Sequence, residues 1–194
     1  MELTTAERAL AARIGMDPVV LMMVKGEGDL LAQLECFGNS ANRALADGVS
    51  ILVNGGPEAQ RQVKRLAALL NPEGYQVFTF ALQRERGRDR IGILKSTDQW
   101  DILRCRGSNG GNYDIDCDDL LVRLQEWDRR FGLKITGADL SWVEAEFIHP
   151  PEDFSELANE VYEFVPDVVD QGTGRVEDLA LSMKLENVLF LWWD

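Results

Sequence analysis

The sequence predicts an α+β protein: a central mixed or antiparallel sheet of five to seven strands, packed helices and a helical N-terminal extension. Three observations carry this expectation. Apolar residues recur at helical spacing in several stretches, and short runs rich in β-branched and aromatic residues lie between them. The two kinds follow the order helix-β-α-β-β and then α-β-β-α-α-β, which suggests two related half-units sharing a sheet. With 194 residues, 45% of them hydrophobic, the chain can bury one sizeable core. The expected division is an extension over 1–47 and an α+β domain over 48–194.

Within the extension, Thr4 or Thr5 can cap a first helix, with Leu10, Ala11 and Ile14 on one stripe and Gly15 and Asp17-Pro18 ending it. The apolar run from Pro18 to Val24 is far too short to span a bilayer. A second helix is expected from about Asp29, because Leu30, Leu31, Leu34 and Phe37 fall at helical spacing. Gly38-Asn39-Ser40 interrupts it before a helical Ala41 to Ala46. Glu2 opens a terminus without a basic region, so no signal peptide is expected.

From Ser50 the pattern changes. Ile51-Leu52-Val53 reads as a short buried strand, and Asn54-Gly55-Gly56-Pro57 turns it into a helix with Pro57 near its first position. Val63, Leu66, Ala67 and Leu70 form that helix's core face, and Asn71-Pro72 stops it. Tyr75 to Leu82 reads as a strand, Gln83 to Asp89 as a charged turn, and Arg90 to Lys95 as the returning strand. The glycine pair invites comparison with a phosphate loop. It lacks the Walker spacing and the Lys-Ser/Thr pair, so it is read as a turn.

Thr97 to Leu103 is expected to form a short helix or turn. The glycine- and asparagine-rich loop Arg106–Tyr113 follows, where binding loop and tight crossover are both open readings. Asp114, Asp116, Asp118 and Asp119 imitate a calcium loop, but Asp119 stands where glycine is needed and Gln125 where a bidentate Glu is needed. Asp116 or Asp118 is better read as the cap of a helix reaching Phe131 along Leu120, Leu124 and Trp127. Strands are expected at Lys134–Gly137 and Trp142–Ile148. In the second, Val143, Ala145 and Phe147 face the core, while Trp142, Glu144 and Glu146 form an outer face that is either solvated or a surface site. After Pro151, Phe154, Leu157, Ala158, Val161, Tyr162 and Val165 mark an amphipathic helix that Pro166 ends. Val168-Val169 tucks inward, Thr173 or Gly174 caps a last helix, and Val188 to Trp193 reads as a central strand covered on both faces.

The formal charge is −13 and uneven. Residues 1–106 carry 13 acids against 14 Lys/Arg, a net of +1, and residues 107–194 carry 20 against 6, a net of −14. This charge argues against nucleic acid as a partner of the acidic half, which reads either as a device for solubility or as a face for a basic protein partner. No membrane association is expected. Cys36, Cys105 and Cys117 show no metal-ligand spacing and leave an odd thiol, so a reduced, cytoplasmic protein is expected. His149 is the single histidine and leaves no His-Cys or His-Ser pairing. No nucleophile, metal cluster or cofactor fingerprint stands out.

Around Tyr162-Glu163-Phe164, Pro166-Asp167, Val169-Asp170-Gln171-Gly172-Thr173-Gly174 and the terminal Leu191-Trp192-Trp193-Asp194, the chain resembles the family called domain of unknown function 4253. Thr97-Asp98-Gln99, Asn109-Gly110 with Asn112-Tyr113, and Trp142-Val143-Glu144 extend the likeness, which covers about residues 90–194. The resemblance implies bacterial relatives and supports fold and boundaries, but implies no mechanism. Val165 departs from the cysteine often found at that position in the family, and Ser108 stands where threonine is common.

If the loops 107–116 and 166–174 meet, Asn109, Asn112, Tyr113, Asp167, Asp170, Gln171 and Thr173 could line a pocket. Asp167 or Asp170 would then serve as general base or as ligand for a hard cation. Alternatively these groups satisfy the backbone of turns and helix ends. Two functions follow: a non-catalytic binding or accessory protein of the immunity kind, acting through the acidic half, or a small enzyme or ligand-binding domain acting through the two loops.

Overall fold

The computed structural model describes residues 2–37, 44–81 and 87–194. The fold is α+β, with seven strands and packed helices among the described residues, and the chain divides into two compact units, Met1–Arg106 and Gly107–Asp194.

The first unit begins with α1 (Thr5–Ile14), whose Thr4 cap and Glu7 form a reciprocal capping box, and whose Gly15 closes it in the left-handed region. The apolar run that follows is itself a helix, α2 (Pro18–Lys25). Asp17 starts it by accepting from the Val19 amide at 2.7 Å, and Val20, Leu21 and Val24 face inward. The N-terminal region is thus helical, but only to Lys25.

The helix expected from Asp29 is instead a strand, β1 (Asp29–Cys36), paired antiparallel with β2 (Ala44–Asn54). The register shifts twice, between Asp29 and Ala32 and between Gln33 and Glu35. Each shift breaks the period of two, so the leucines imitate helical spacing. The expected interruption at 38–40 and residues 41–43 of the expected helix lie outside the described residues, while 44–46 belong to β2.

α3 (Pro57–Leu70), β3 (Tyr75–Phe80) and β4 (Arg88–Lys95) complete the expected β-α-β-β unit. β4 inserts between β2 and β3, giving the antiparallel order β1-β2-β4-β3. Most of the expected turn, residues 83–86, and Leu82 lie outside the described residues. Val49, Ile51, Val53, Val77, Ile91 and Ile93 meet Val63, Leu66 and Leu70 of α3 in one core. The Gly55-Gly56 turn holds an anion of its own: the buried Asp89 carboxylate accepts from the Gly56 amide at 2.8 Å. That internal carboxylate occupies the helix end where a phosphate would have to bind.

α4 (Asp101–Arg106) closes the unit, and here the thiol expectation is corrected. Cys36 and Cys105 form a disulfide, with Cα atoms 4.5 Å apart across 69 residues of sequence, and Cys117 is the free, buried cysteine. The Phe37 amide donates to the Cys105 carbonyl at 2.8 Å, so the pair joins the end of β1 to α4.

The second unit contains α5 (Cys117–Phe131), β5 (Leu133–Asp139), β6 (Trp142–Phe147), α6 (Ser155–Phe164), α7 (Val176–Glu186) and β7 (Val188–Trp192). β5, β6 and β7 run antiparallel in that order. Leu120, Leu124 and Trp127 of α5, Leu157 and Val161 of α6, and Val143, Ala145, Leu189 and Leu191 of the sheet are all buried. Trp127 Nε1 and Arg130 both donate to Glu160, at 2.8 and 2.6 Å, joining α5 to α6. Among the described residues β7 is the end strand and pairs only with β6, and Phe190 is exposed, so the expectation of a central strand covered on both faces is corrected. Apolar content along a run cannot tell an edge strand with a wet residue from a central one.

Candidate functional site

The two polar loops of the second unit do meet. Asp116 caps α5 by accepting from the amides of Asp118 and Asp119 at 2.8 and 2.9 Å, while the Asp119 carboxylate accepts from the Asp116 amide. That capping box disposes of the calcium-loop reading and fixes the loop before it. A single 3₁₀ turn, Gly111–Tyr113, then aims Tyr113 at the other loop. There Pro166 ends α6, and Val168–Thr173 form one π-helical turn with Val168 and Val169 turned inward. Gly174, in the left-handed region, closes this turn instead of capping α7, and Thr173 donates to the Val168 and Arg175 carbonyls. Arg175, which makes no side-chain cap bond, stands at the N-cap of α7, so neither expected cap is used.

Asp167 is the hub. Its carboxylate accepts from the Tyr113 hydroxyl at 2.6 Å, from Gln171 Nε2 at 2.8 Å and from the Asp194 amide at 3.1 Å. Asn112 Nδ2 donates to the main-chain oxygen of the same Asp194. A buried carboxylate is costly unless its oxygens are hydrogen-bonded, and these three donors meet that need. They hold Asp167 below the ordinary carboxylate range, led by the Tyr113 bond. In return the Asp167 bond pushes Tyr113 up to about 12.

The other candidates lie around this hub in different roles. Asn109 donates to the Gly107 carbonyl at 2.8 Å and accepts from the Gly111 amide at 3.1 Å, stabilising its own turn. Asp170 is exposed and accepts from the Tyr162 hydroxyl at 3.1 Å, which raises that tyrosine. Ser108 is fully buried and donates to the Asp139 carbonyl at 2.7 Å, a bond open to the related threonine as well. Val165 is fully buried at the end of α6.

On β6, Trp142 is buried and tilts against Phe190, and Glu144 accepts from the Thr136 hydroxyl at 2.7 Å. Glu146 is half-buried. The face carrying these three residues is therefore partly buried rather than fully solvated.

The family model for domain of unknown function 4253 matches residues 90–194, more than half of the chain. The chain belongs to that family. In this family member the matched stretch contains both polar loops, all of α5 to β7 and the terminal Trp192-Trp193-Asp194 that they hold. No curated protein and no solved structure matches the chain.

Two features of the hub escaped the sequence reading. The main chain of Asp194 is a central partner, and main-chain groups leave no residue-type signal. Gly110 lies against the buried Trp193 indole, where an added Cβ would come within 2.7 Å of Cδ1. The signal for that contact was present in Asn109-Gly110 and Trp193, but their proximity was not. Among the described residues no group of three or more His, Cys, Asp or Glu could hold a metal ion, and no helix is long and apolar enough to cross a membrane.

Proposed function

We propose that this protein is a non-catalytic bacterial binding or accessory protein, of the immunity kind, whose acidic second unit docks a basic, partly apolar segment of another protein. The observation that carries the reading is the outer side of α7. Leu181 and Leu185, one turn apart, are 53% and 76% exposed. Exposed Glu177, Asp178 and Glu186 flank them in a unit of net charge −14. Leu179 and Met183 already anchor the helix inward, so the outward leucines are not needed for packing. Exposed Lys184 stands beside Leu185 and Arg175 pairs with Glu177 at 3.3 Å, so the rim is mixed in sign and acidic on balance. Exposed apolar side chains in such a rim, on a strongly acidic unit, suit a partner that offers apolar residues among Lys and Arg. The polar loops add support, because Asp167 directs its carboxylate to Tyr113, Gln171 and Asp194 rather than outward. The Cys36–Cys105 bond weighs against the strictly reducing cytoplasm expected from composition.

The test is capture from bacterial lysate by the parent and by a Leu181→Ser/Leu185→Ser variant, at low and high salt. A basic protein held by the parent, lost by the variant and weakened by salt is the expected result, since exposed charges are screened beyond about 10 Å at 0.1 M. Equal capture by both proteins, retention unaffected by salt, or recovery of nucleic acid overturns the reading.

A further inference from the structure

We infer that the groove along the polar side of α3 is a binding site for a small zwitterion of the peptide class, a ligand carrying an ammonium and a carboxylate. The groove lies wholly within the first unit, is open to solvent, has a volume of about 510 Å³, and is walled by α3, the segment Glu27–Asp29 and the ends of β2 and β4. That volume suits a ligand of several heavy atoms rather than a bare ion. Glu58, Arg61, Gln62 and Arg65 fall at i, i+3, i+4 and i+7 and so share one side of the helix. Ala59, Val63, Leu66 and Leu70 bury the opposite side.

The charges in the groove are largely matched in pairs. Arg65 pairs with Glu27, which also accepts from Gln62 Nε2 at 3.1 Å. Arg88 pairs with Asp29 at 2.8 Å and donates to the Leu52 carbonyl at 3.1 Å. Two charges are left over. Arg61 has no hydrogen bond or ion pair among the described residues, and Glu58 meets only Asn54 Nδ2, at 3.5 Å. Although three residues apart on one helix face, the two do not pair with each other.

A simple anion in this groove would be drawn to Arg61 and repelled by Glu58, and a simple cation would meet the reverse. A ligand with both charges satisfies each, with its carboxylate on Arg61 and its ammonium on Glu58. Because Arg61 and Glu58 are exposed and outside the core, replacing either leaves the fold intact.

Calorimetric titration with glycylglycine, which has no side chain to clash, tests the assignment beside its N-acetylated form and its C-terminal amide. The parent is expected to bind glycylglycine, and each blocked form about two- to fivefold weaker, the scale of one exposed ion pair. Arg61→Ala and Glu58→Gln are expected to weaken glycylglycine by a similar factor while melting at the parental temperature. Absence of binding to the parent at about 10 mM (an affinity too weak to matter), equal binding of the blocked forms, or unchanged binding by both variants overturns the assignment.

Discussion

The Tyr113 hydroxyl and the Asp167 carboxylate lie 2.6 Å apart and join the loop before α5 to the turn after α6. Each stabilises the protonation state the other needs. Tyr113 must keep its proton to donate, and Asp167 must have lost its own to accept at both oxygens.

The signs of the two shifts therefore define a pH window. Asp167 is lowered, so its contribution is present above the ordinary Asp value near 3.9 and is lost as pH falls through its folded value. Tyr113 is raised, so its contribution is complete below the ordinary Tyr value near 10 and is lost as pH rises through about 12. Ultraviolet titration of the three tyrosines should show one ionising near 12. In Asp167→Asn that transition should move down toward 10. A titration identical to the parent's would show that the bond does not exist in solution.

Asp167 and Asp170 are three residues apart in one motif, yet their substitutions should differ sharply. Asp170→Ala removes a single exposed contact with Tyr162 and should cost about 0.5 kcal/mol or less. Asp167→Ala strips three donors of their acceptor and should melt several degrees lower than Asp170→Ala. Neither magnesium nor calcium should shift the parent's melt. An ion that stabilises the parent but not Asp167→Ala would turn the hub into a cation site.

Gly110→Ala should destabilise the second unit by about 1–3 kcal/mol, the usual cost of an extra methyl group in a filled space. The added carbon would meet the Trp193 indole, which is buried and cannot swing into solvent. Trp193→Phe in the same background should recover part of the loss, because the smaller ring opens room at Gly110. Additive losses in the double variant would rule out this contact as the cause.

What the sequence disclosed follows from how local each determinant is. The Asp116 cap of α5 and Pro57 at the first position of α3 are set by neighbours within four residues, and both were legible. β1 was not, because its two register shifts exist only against β2. The polar residues of the hub were singled out by type, while its geometry depends on a terminal main chain that type cannot reveal. The groove along α3 was missed for a related reason. Its charges lie opposite the apolar stripe from which the helix is read, and the pairing of Arg65 with Glu27 and of Arg88 with Asp29 requires the folded chain.

The Cys36–Cys105 pair was the least legible feature, and its stability effect is the largest expected. Nothing in three scattered cysteines ranks one pairing above another, whereas β1 and α4 bring two of them to 4.5 Å between Cα atoms. Closing 69 residues of chain restricts the unfolded state by about 4 kcal/mol on the chain-entropy account. The bond also secures the end of an edge strand that is paired with β2 on one side, beside the Phe37 amide on the Cys105 carbonyl and Arg106, which donates to the Glu35 carbonyl at 2.8 Å. Cys36→Ser/Cys105→Ser should therefore lose denaturant stability in the first unit while the Tyr113 titration in the second stays unchanged. Treatment of the parent with reductant should reproduce the loss, and Cys117→Ser with the pair intact should not. Equal stability of parent and double variant under oxidising conditions would show that the thiols are not joined.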